Sequence, residues 1–348
     1  MFITDLSAIS PQLTYNENFL LGDKKSYEST VFNAIEPDYT ELIPRNLLRR
    51  MGKAVRIGIG TGTPLINKNS ELDGIIIGTA NGGLEDCIRF LNQIIEYNEG
   101  TLTPTNFVQS TPNAIAGQLA LIGKNRGYNI TYTNGGTSFE NAILDGILLF
   151  NEGNNKKLLI GGIEEISEYN YNIDSLSNKF KKETIKDSKL LESNTPGTIC
   201  GEGAALFVVE NESNNYYAQI KDVAQITYPS IEDLRECLTE MLERNNLKST
   251  DIDSIMLGYN GDINHNHWYE YIENKIFKKS NSFTFKNLIG DYRTCSAFAT
   301  WLSSHIINGE KKILKHISRR INNKNTPKNI LIYNHFDTVR HGFILLSK

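Results

Sequence analysis

Short apolar, β-rich runs alternate with longer helical patterns along this chain, and the alternation occurs twice in the same order. In the first half the spacing predicts strands at Phe2–Ile9, Asp73–Ala80, Asn129–Thr133, Lys157–Glu164 and Ala204–Glu210. Helical patterns connect them at Pro44–Gly58, Leu84–Tyr97, Asn113–Gly123 and Gly136–Phe150. In the second half, strands are expected at Tyr217–Ile226, Ser254–Tyr259, Ser282–Ile289, Asn329–His335 and His341–Leu346, with helices at Ile231–Arg244, His267–Phe277 and Thr294–Asn308. Alternating strands and helices imply an α/β protein with mainly parallel strands. The shared order implies a duplication, with halves 1–211 and 216–348 packed as one unit and joined at the polar turn Asn211–Asn215. Two stretches break the pattern: Ser167–Ser193, expected to be a surface excursion, and the basic run Lys311–Lys328.

Bulk properties narrow the function. With 39% hydrophobic and 22% charged residues, the chain reads as a soluble globular protein. A net charge of −4 gives no electrostatic case for nucleic acid. No apolar run approaches the ~18 residues of a membrane span, and the opening MFITDLSAIS lacks the basic and apolar regions of a secretory signal. Cys87, Cys200, Cys237 and Cys295 show neither disulfide-framework nor metal-ligand spacing, so a reducing cytoplasm is expected. His265 and His267 form an H-x-H pair with no third ligand nearby, so neither a metal nor a cofactor is expected.

The stretch Asn129–Ile143, NITYTNGGTSFENAI, carries the strongest functional signal. It reads as a strand, a tight turn and a helix, the arrangement that holds a nucleophile at an elbow in the field of a helix N-terminus. The tip is Gly135-Gly136, which offers no nucleophile. Thr137 and Ser138 are the nearest hydroxyls, and no base is visible beside them.

Further motifs follow in a fixed order: Arg49-Arg50-Met51; Pro112–Gly117, PNAIAG; Thr133–Ser138, TNGGTS; Leu159–Glu164, LIGGIE; Gly201–Ala205, GEGAA; Lys286–Gly290, KNLIG; and Asn334–Phe336 with Gly342. Together they resemble the β-ketoacyl synthases of the thiolase superfamily over nearly the whole chain. The resemblance implies a thiolase-like α/β fold, two duplicated βαβαβαββ halves stacked in five layers (α-β-α-β-α), with the elbow at 133–138. Gly60–Leu65, GTGTPL, imitates a family loop but lies in the wrong half, and it follows a helical pattern where a dinucleotide motif follows a strand.

An active synthase of this family uses a Cys nucleophile that attacks an acyl thioester, and two His, or one His and one Asn in a related branch, that stabilise the enolate of decarboxylated malonyl-carrier protein. The matching positions here read Gly135, Asn260 and Asp291, with Lys286 retained. A carboxylate at the last position would repel an enolate. Asn260 reads either as a residual donor to a thioester or as a polar residue closing a strand. Lys286 and Asp291 read either as a buried ion pair or as a tuned lysine with its partner. Ser138 is the fallback nucleophile, and Cys200 and Cys295 are possible relocated ones. Glu202 is expected to tie down backbone.

The resemblance therefore points to a catalytically degenerate, chain-length-factor-like pseudoenzyme. Such a subunit pairs with an active ketosynthase paralogue, works with acyl carrier protein, and shapes the acyl tunnel in fatty-acid, polyketide or polyene assembly. Expected tunnel and interface residues are Phe107, Gln109, Asn113, Ile115, Asn134, Phe139 and Phe336. Two alternatives stand beside it. One is an active 3-oxoacyl-carrier-protein synthase, malonyl-carrier-protein decarboxylase or acyltransferase with a relocated nucleophile. The other is an acyl-binding homodimeric scaffold.

Overall fold

A computed structural model describes residues 1–16, 18–69, 71–102, 104–153 and 156–348. The main strands are β1 (Phe2–Ile9), β2 (Gly74–Gly78), β3 (Tyr128–Tyr132), β4 (Lys157–Glu164) and β5 (Gly203–Glu210) in the first half. In the second they are β6 (Ala218–Thr227), β7 (Ser254–Leu257), β8 (Asn281–Thr284), β9 (Asn329–Phe336) and β10 (Arg340–Ser347). The principal helices are α1 (Lys53–Lys68), α2 (Leu84–Glu96), α3 (Ala114–Ile122), α4 (Ser138–Asn151), α5 (Ile231–Arg244) and α6 (Ser296–Ile307).

The central strands are apolar on both faces, and their period of two sorts side chains between two cores. On β2, Ile76 enters the middle core while Ile75 and Ile77 enter an outer one. On β9, Ile330 and Ile332 enter the middle core while Leu331 and Tyr333 enter the opposite outer one. The middle core is filled by α4 (Phe139, Ala142, Ile143) and α6 (Phe298, Trp301, Leu302). Every residue of α6 is buried, as a helix between two sheets requires. Helices α1 and α3 cover the first outer face, and α5 with Asn266–Tyr271 covers the second. The result is five layers, α-β-α-β-α.

Strand order repeats between the halves. It runs β3-β2-β4-β5-β1 in the first and β8-β7-β9-β10-β6 in the second, with Ser318–Arg320 added at the outer edge of β8. Among the described residues the two sheets join where β1 meets β6, at Phe2↔Gln219 and Ile3↔Ala218. The duplication extends to individual hydrogen bonds. At a bulge in β1, Asp5 accepts from Leu6 N–H and from Asn69 Nδ2 (3.2 Å), and Asn69 Nδ2 also donates to Leu65 O four residues back. At the matching bulge in β6, Asp222 accepts from Val223 N–H and from Asn245 Nδ2 (2.7 Å), and Asn245 Nδ2 donates to Met241 O. Similarly, Asp73 Oδ2 accepts from the N–H groups of Lys156 and Lys157, and Asp253 Oδ2 from those of Lys328 and Asn329. Each aspartate locks the amino end of one strand to its neighbour.

Several expected elements change shape. The helix expected at Pro44–Gly58 breaks at Gly52 into a short turn, Arg45–Leu48, and α1, which runs on to Lys68 through Pro64. The GTGTPL stretch is thus helix interior, where Gly62 admits Leu119: a Cβ there would lie 2.6 Å from Leu119 Cδ2. The strand expected at Ser282–Ile289 stops at Thr284, and Lys286–Ile289 is a helical turn ended by Gly290 at φ +74°. All four residues of that turn, Lys286, Asn287, Leu288 and Ile289, are buried, so no exposed face marks it as helix. The Ser167–Ser193 excursion is only partly surface: it holds a helix, Glu168–Leu176, capped by Ser167, and it buries Lys181, Asp187 and Leu190.

Candidate functional site

β3 delivers the chain to the elbow, a 3-10 turn at Gly135–Thr137 that leads into α4. Gly135 sits at φ +59°, the left-handed region that glycine enters without cost. Ser138, expected as a fallback nucleophile, is fully buried and donates its hydroxyl to Gly135 O at 2.8 Å.

The tip is roofed. A Cβ on Gly136 would overlap Phe336, which ends β9. A Cβ on Gly135 would lie 3.2 Å from Nε of Arg340, whose Nη1 donates to Asn134 Oδ1 at 2.8 Å. The Phe336 ring in turn carries Lys179 Nζ at 4.5 Å and the Arg293 guanidinium at 4.9 Å. Asp174 holds both cations, Lys179 at 3.2 Å and Arg293 at 3.1 Å, and Asp337 takes Lys179 at 2.8 Å. A cavity beside this roof, bordered by Glu164, Cys200, Asp291, Arg293 and Phe336 and by no elbow residue, is about 30 Å³. That holds a water or two, whereas ligand sites run to ~300–1,000 Å³.

Deeper in, the structure gathers Lys286, Asp291 and Asn260. The turn at Lys286–Ile289 and the reversal at Gly290 bring Asp291 back onto Lys286, Nζ to Oδ1, at 2.8 Å. Asn260, just past β7, donates Nδ2 to Asp291 Oδ2 at 2.9 Å. Burial is the largest single influence and lowers the Lys286 pKa, but Asp291 with the other neighbouring acidic groups together outweighs it and the net direction is up, so the ammonium is retained. Cys295 lies beside the carboxylate, Sγ to Oδ1 at 3.9 Å, and accepts from Asn334 Nδ2 at 3.6 Å. Burial pushes its thiol up to about 12, against the pull of Lys286, and burial likewise raises Cys200. Neither is a thiolate at neutral pH. Glu140, on the first turn of α4, is raised to about 7 by burial, with Ser296 and Lys286 opposing.

Chemically the site is a charge-paired plug. Both oxygens of Asp291 are engaged, Oδ1 by Lys286 and Oδ2 by Asn260. Imidazoles lie one layer away: His335 stacks on Tyr269 (4.6 Å) and nears His265 (5.3 Å) and His341 (5.1 Å). Burial lowers His335 and takes His341 to about 4, so both are neutral packing groups. No three His, Cys, Asp or Glu side chains among the described residues are placed to hold a metal. Glu202 is wholly buried and accepts from Ala34 N–H, Ile166 N–H and Lys53 Nζ, tying three segments together.

The residues expected along a tunnel separate. Phe336 borders the roofed cavity. Phe139 is middle core against Phe207, and Ile115 is outer core against Gly58. Gln109 is buried and bonds Gly52 N–H and Arg50 O, pinning the start of α1. Asn113 and Asn134 are exposed, Asn113 accepting from Thr131 Oγ1 at 2.8 Å. Phe107 is 58% exposed and packs on Phe90. Sequence reasoning passed over Arg340, Arg293 and Asp174. Arg340 meets the elbow at Asn134, Arg293 meets Phe336 and Asp174 meets Arg293 across long sequence distances, and none carries a local signal.

β3 is the terminal strand, with no neighbour on its outer side among the described residues. Exposed apolar side chains flank it: Leu121 and Ile122 at the end of α3, and Leu144 and Leu148 on α4.

This fold is similar to that of β-ketoacyl synthases. Residues 25–179 match the family model described as the N-terminal domain of β-ketoacyl synthase. Among solved structures, the ishigamide ketosynthase/chain length factor superposes with a TM-score of 0.79 at 12% identity, covering 100% of this chain and 98% of the other. A β-ketoacyl synthase from Burkholderia phymatum gives 0.77 at 16% identity, covering 100% and 98%. The ketosynthase ApeO in complex with its chain length factor ApeC from Xenorhabdus doucetiae gives 0.76 at 14% identity, covering 99% and 97%. A search of curated proteins gave no match. No helix among the described residues is long and apolar enough to cross a membrane.

Proposed function

We propose that this chain is a non-catalytic ketosynthase-like subunit that pairs with an active, Cys-bearing ketosynthase and shapes the acyl tunnel of fatty-acid, polyketide or polyene assembly on acyl carrier protein. The observation that carries the reading is the elbow. Gly135 and Gly136 have no reactive atom, and Arg340 and Phe336 occupy the space that a side chain there would need. The Lys286–Asp291–Asn260 set supports it, because both Asp291 oxygens are already engaged, one by the Lys286 ammonium and one by Asn260 Nδ2. The bare edge of β3 supports association, since an unpaired strand edge flanked by apolar side chains is a template for a partner strand. On this reading Asn113, Asn134 and Phe107, which are exposed in the single chain, face the partner.

The test is co-expression with an intact ketosynthase carrying the elbow Cys. The expected result is a stable 1:1 complex whose product length changes when Phe107 is substituted. A self-sufficient homodimer that never exchanges with the synthase would favour the acyl-binding scaffold and contradict the proposal.

A further inference from the structure

The basic run after α6 is not a featureless solvated face. Residues 310–327 fold back on the amino end of β8 and the end of α6, and line a half-open groove of about 440 Å³. It lies at the sheet edge opposite β3, and at the amino end of β8, whereas the Lys286–Asp291 site lies past the carboxyl end of that strand. Its floor and walls are Phe283, Ile306, Leu314, Ile321 and Pro327, and its rim carries Lys311, Lys315 and Lys324 against the single carboxylate of Glu310. None of the three lysines is ion-paired among the described residues, and Glu310 is engaged with the backbone N–H of Lys312. The wall is built: Asn281, 3% exposed, accepts from the N–H groups of Asn322 and Asn323 and donates to Asn323 O, holding the 321–325 loop in place.

An apolar groove of ligand size beneath an excess of cations suits one chemistry, an aliphatic chain ending in an anion. From this we infer that the 310–327 groove binds a straight-chain aliphatic carboxylate. The chain lies on Phe283, Ile306 and Leu314, and the carboxylate lies among Lys311, Lys315 and Lys324. The site is independent of the elbow and of any partner bound to β3.

Calorimetric titration of the full chain with octanoate, decanoate and dodecanoate, each below its micelle concentration, tests this. The expected result is one saturable site whose affinity rises about three- to fourfold per added methylene and weakens as salt screens the rim. K311E/K324E, on exposed positions, should weaken dodecanoate at least tenfold at an unchanged melting temperature, and dodecanol should bind more weakly than dodecanoate. I321D, on a 43%-exposed wall residue, should lose the methylene increment. No saturable binding by the folded protein, or binding that neither variant alters, overturns the inference. So does a concentration-dependent dimer that dissociates in I321D and excludes dodecanoate, which would give the groove to a second copy of the chain.

Discussion

Lys286→Met should destabilise the chain far more than a surface change, and the double variant Lys286→Met/Asp291→Leu should largely reverse the loss. Lys286 is fully buried and Asp291 is 8% exposed, with 2.8 Å between ammonium and carboxylate. Removing the ammonium leaves Asp291 charged in the interior, with Asn260 at 2.9 Å and the weak Cys295 thiol at 3.9 Å as its side-chain donors. Breaking a buried pair from one side costs ~3–5 kcal/mol, whereas replacing both partners with apolar groups is about neutral. For 348 residues the unfolding entropy is ~0.7 kcal/mol/K, so the single variant should melt ~4–7 °C lower. Thermal melts followed by circular dichroism at pH 7 read this directly, with Asp291→Asn as the reciprocal single variant. If Lys286→Met melts within a degree of the parent, or as low as the double variant, the two charges are not coupled. The lysine would then have to be explained by chemistry.

Three further outcomes follow from the same geometry. Glu140 has a folded pKa of about 7, above its ordinary 4.5, so its contribution is intact below pH 4.5 and is lost as pH rises through 7. That loss is ~3 kcal/mol, so Glu140→Gln should leave the melting temperature at pH 5 nearly unchanged and raise it at pH 8, countering the parent's decline. Gly136→Ala puts a methyl into Phe336 and should cost ~1–3 kcal/mol in urea unfolding. In the parallel pairing of β2 and β3 the Tyr128 N–H points inward to Asp73 O, so the N–H of Thr131 points off the sheet. Thr131→Pro should therefore abolish co-purification with a partner while the isolated chain still folds; an intact complex would remove β3 from the interface.

Much of the fold was legible because its signal is local. β4 and α5 fall where periodicity puts them, at Lys157–Glu164 and Ile231–Arg244, since a doubly buried strand and a one-faced helix each write their own pattern. The repeated strand order was visible in the same way. The turn at Lys286–Ile289 was not, because four buried residues are too few to show a helical period. The vacancy at Gly135 was legible, but its roof was not: Arg340 reaches Asn134 from 206 positions away, and a contact of that separation leaves no mark in neighbouring residues. The aspartate pairs Asp5/Asp222 and Asp73/Asp253 were hidden for the same reason, although they are the plainest trace of the duplication.

The most direct test of the account is intact-mass measurement of this chain, alone and in complex with an active synthase, after incubation with acyl-carrier protein. The account predicts acylation of the partner's cysteine and no mass increment on this chain under denaturing conditions. A covalent acyl group on this chain, mapped to Thr137 or Ser138 or to Cys200 or Cys295, would contradict it.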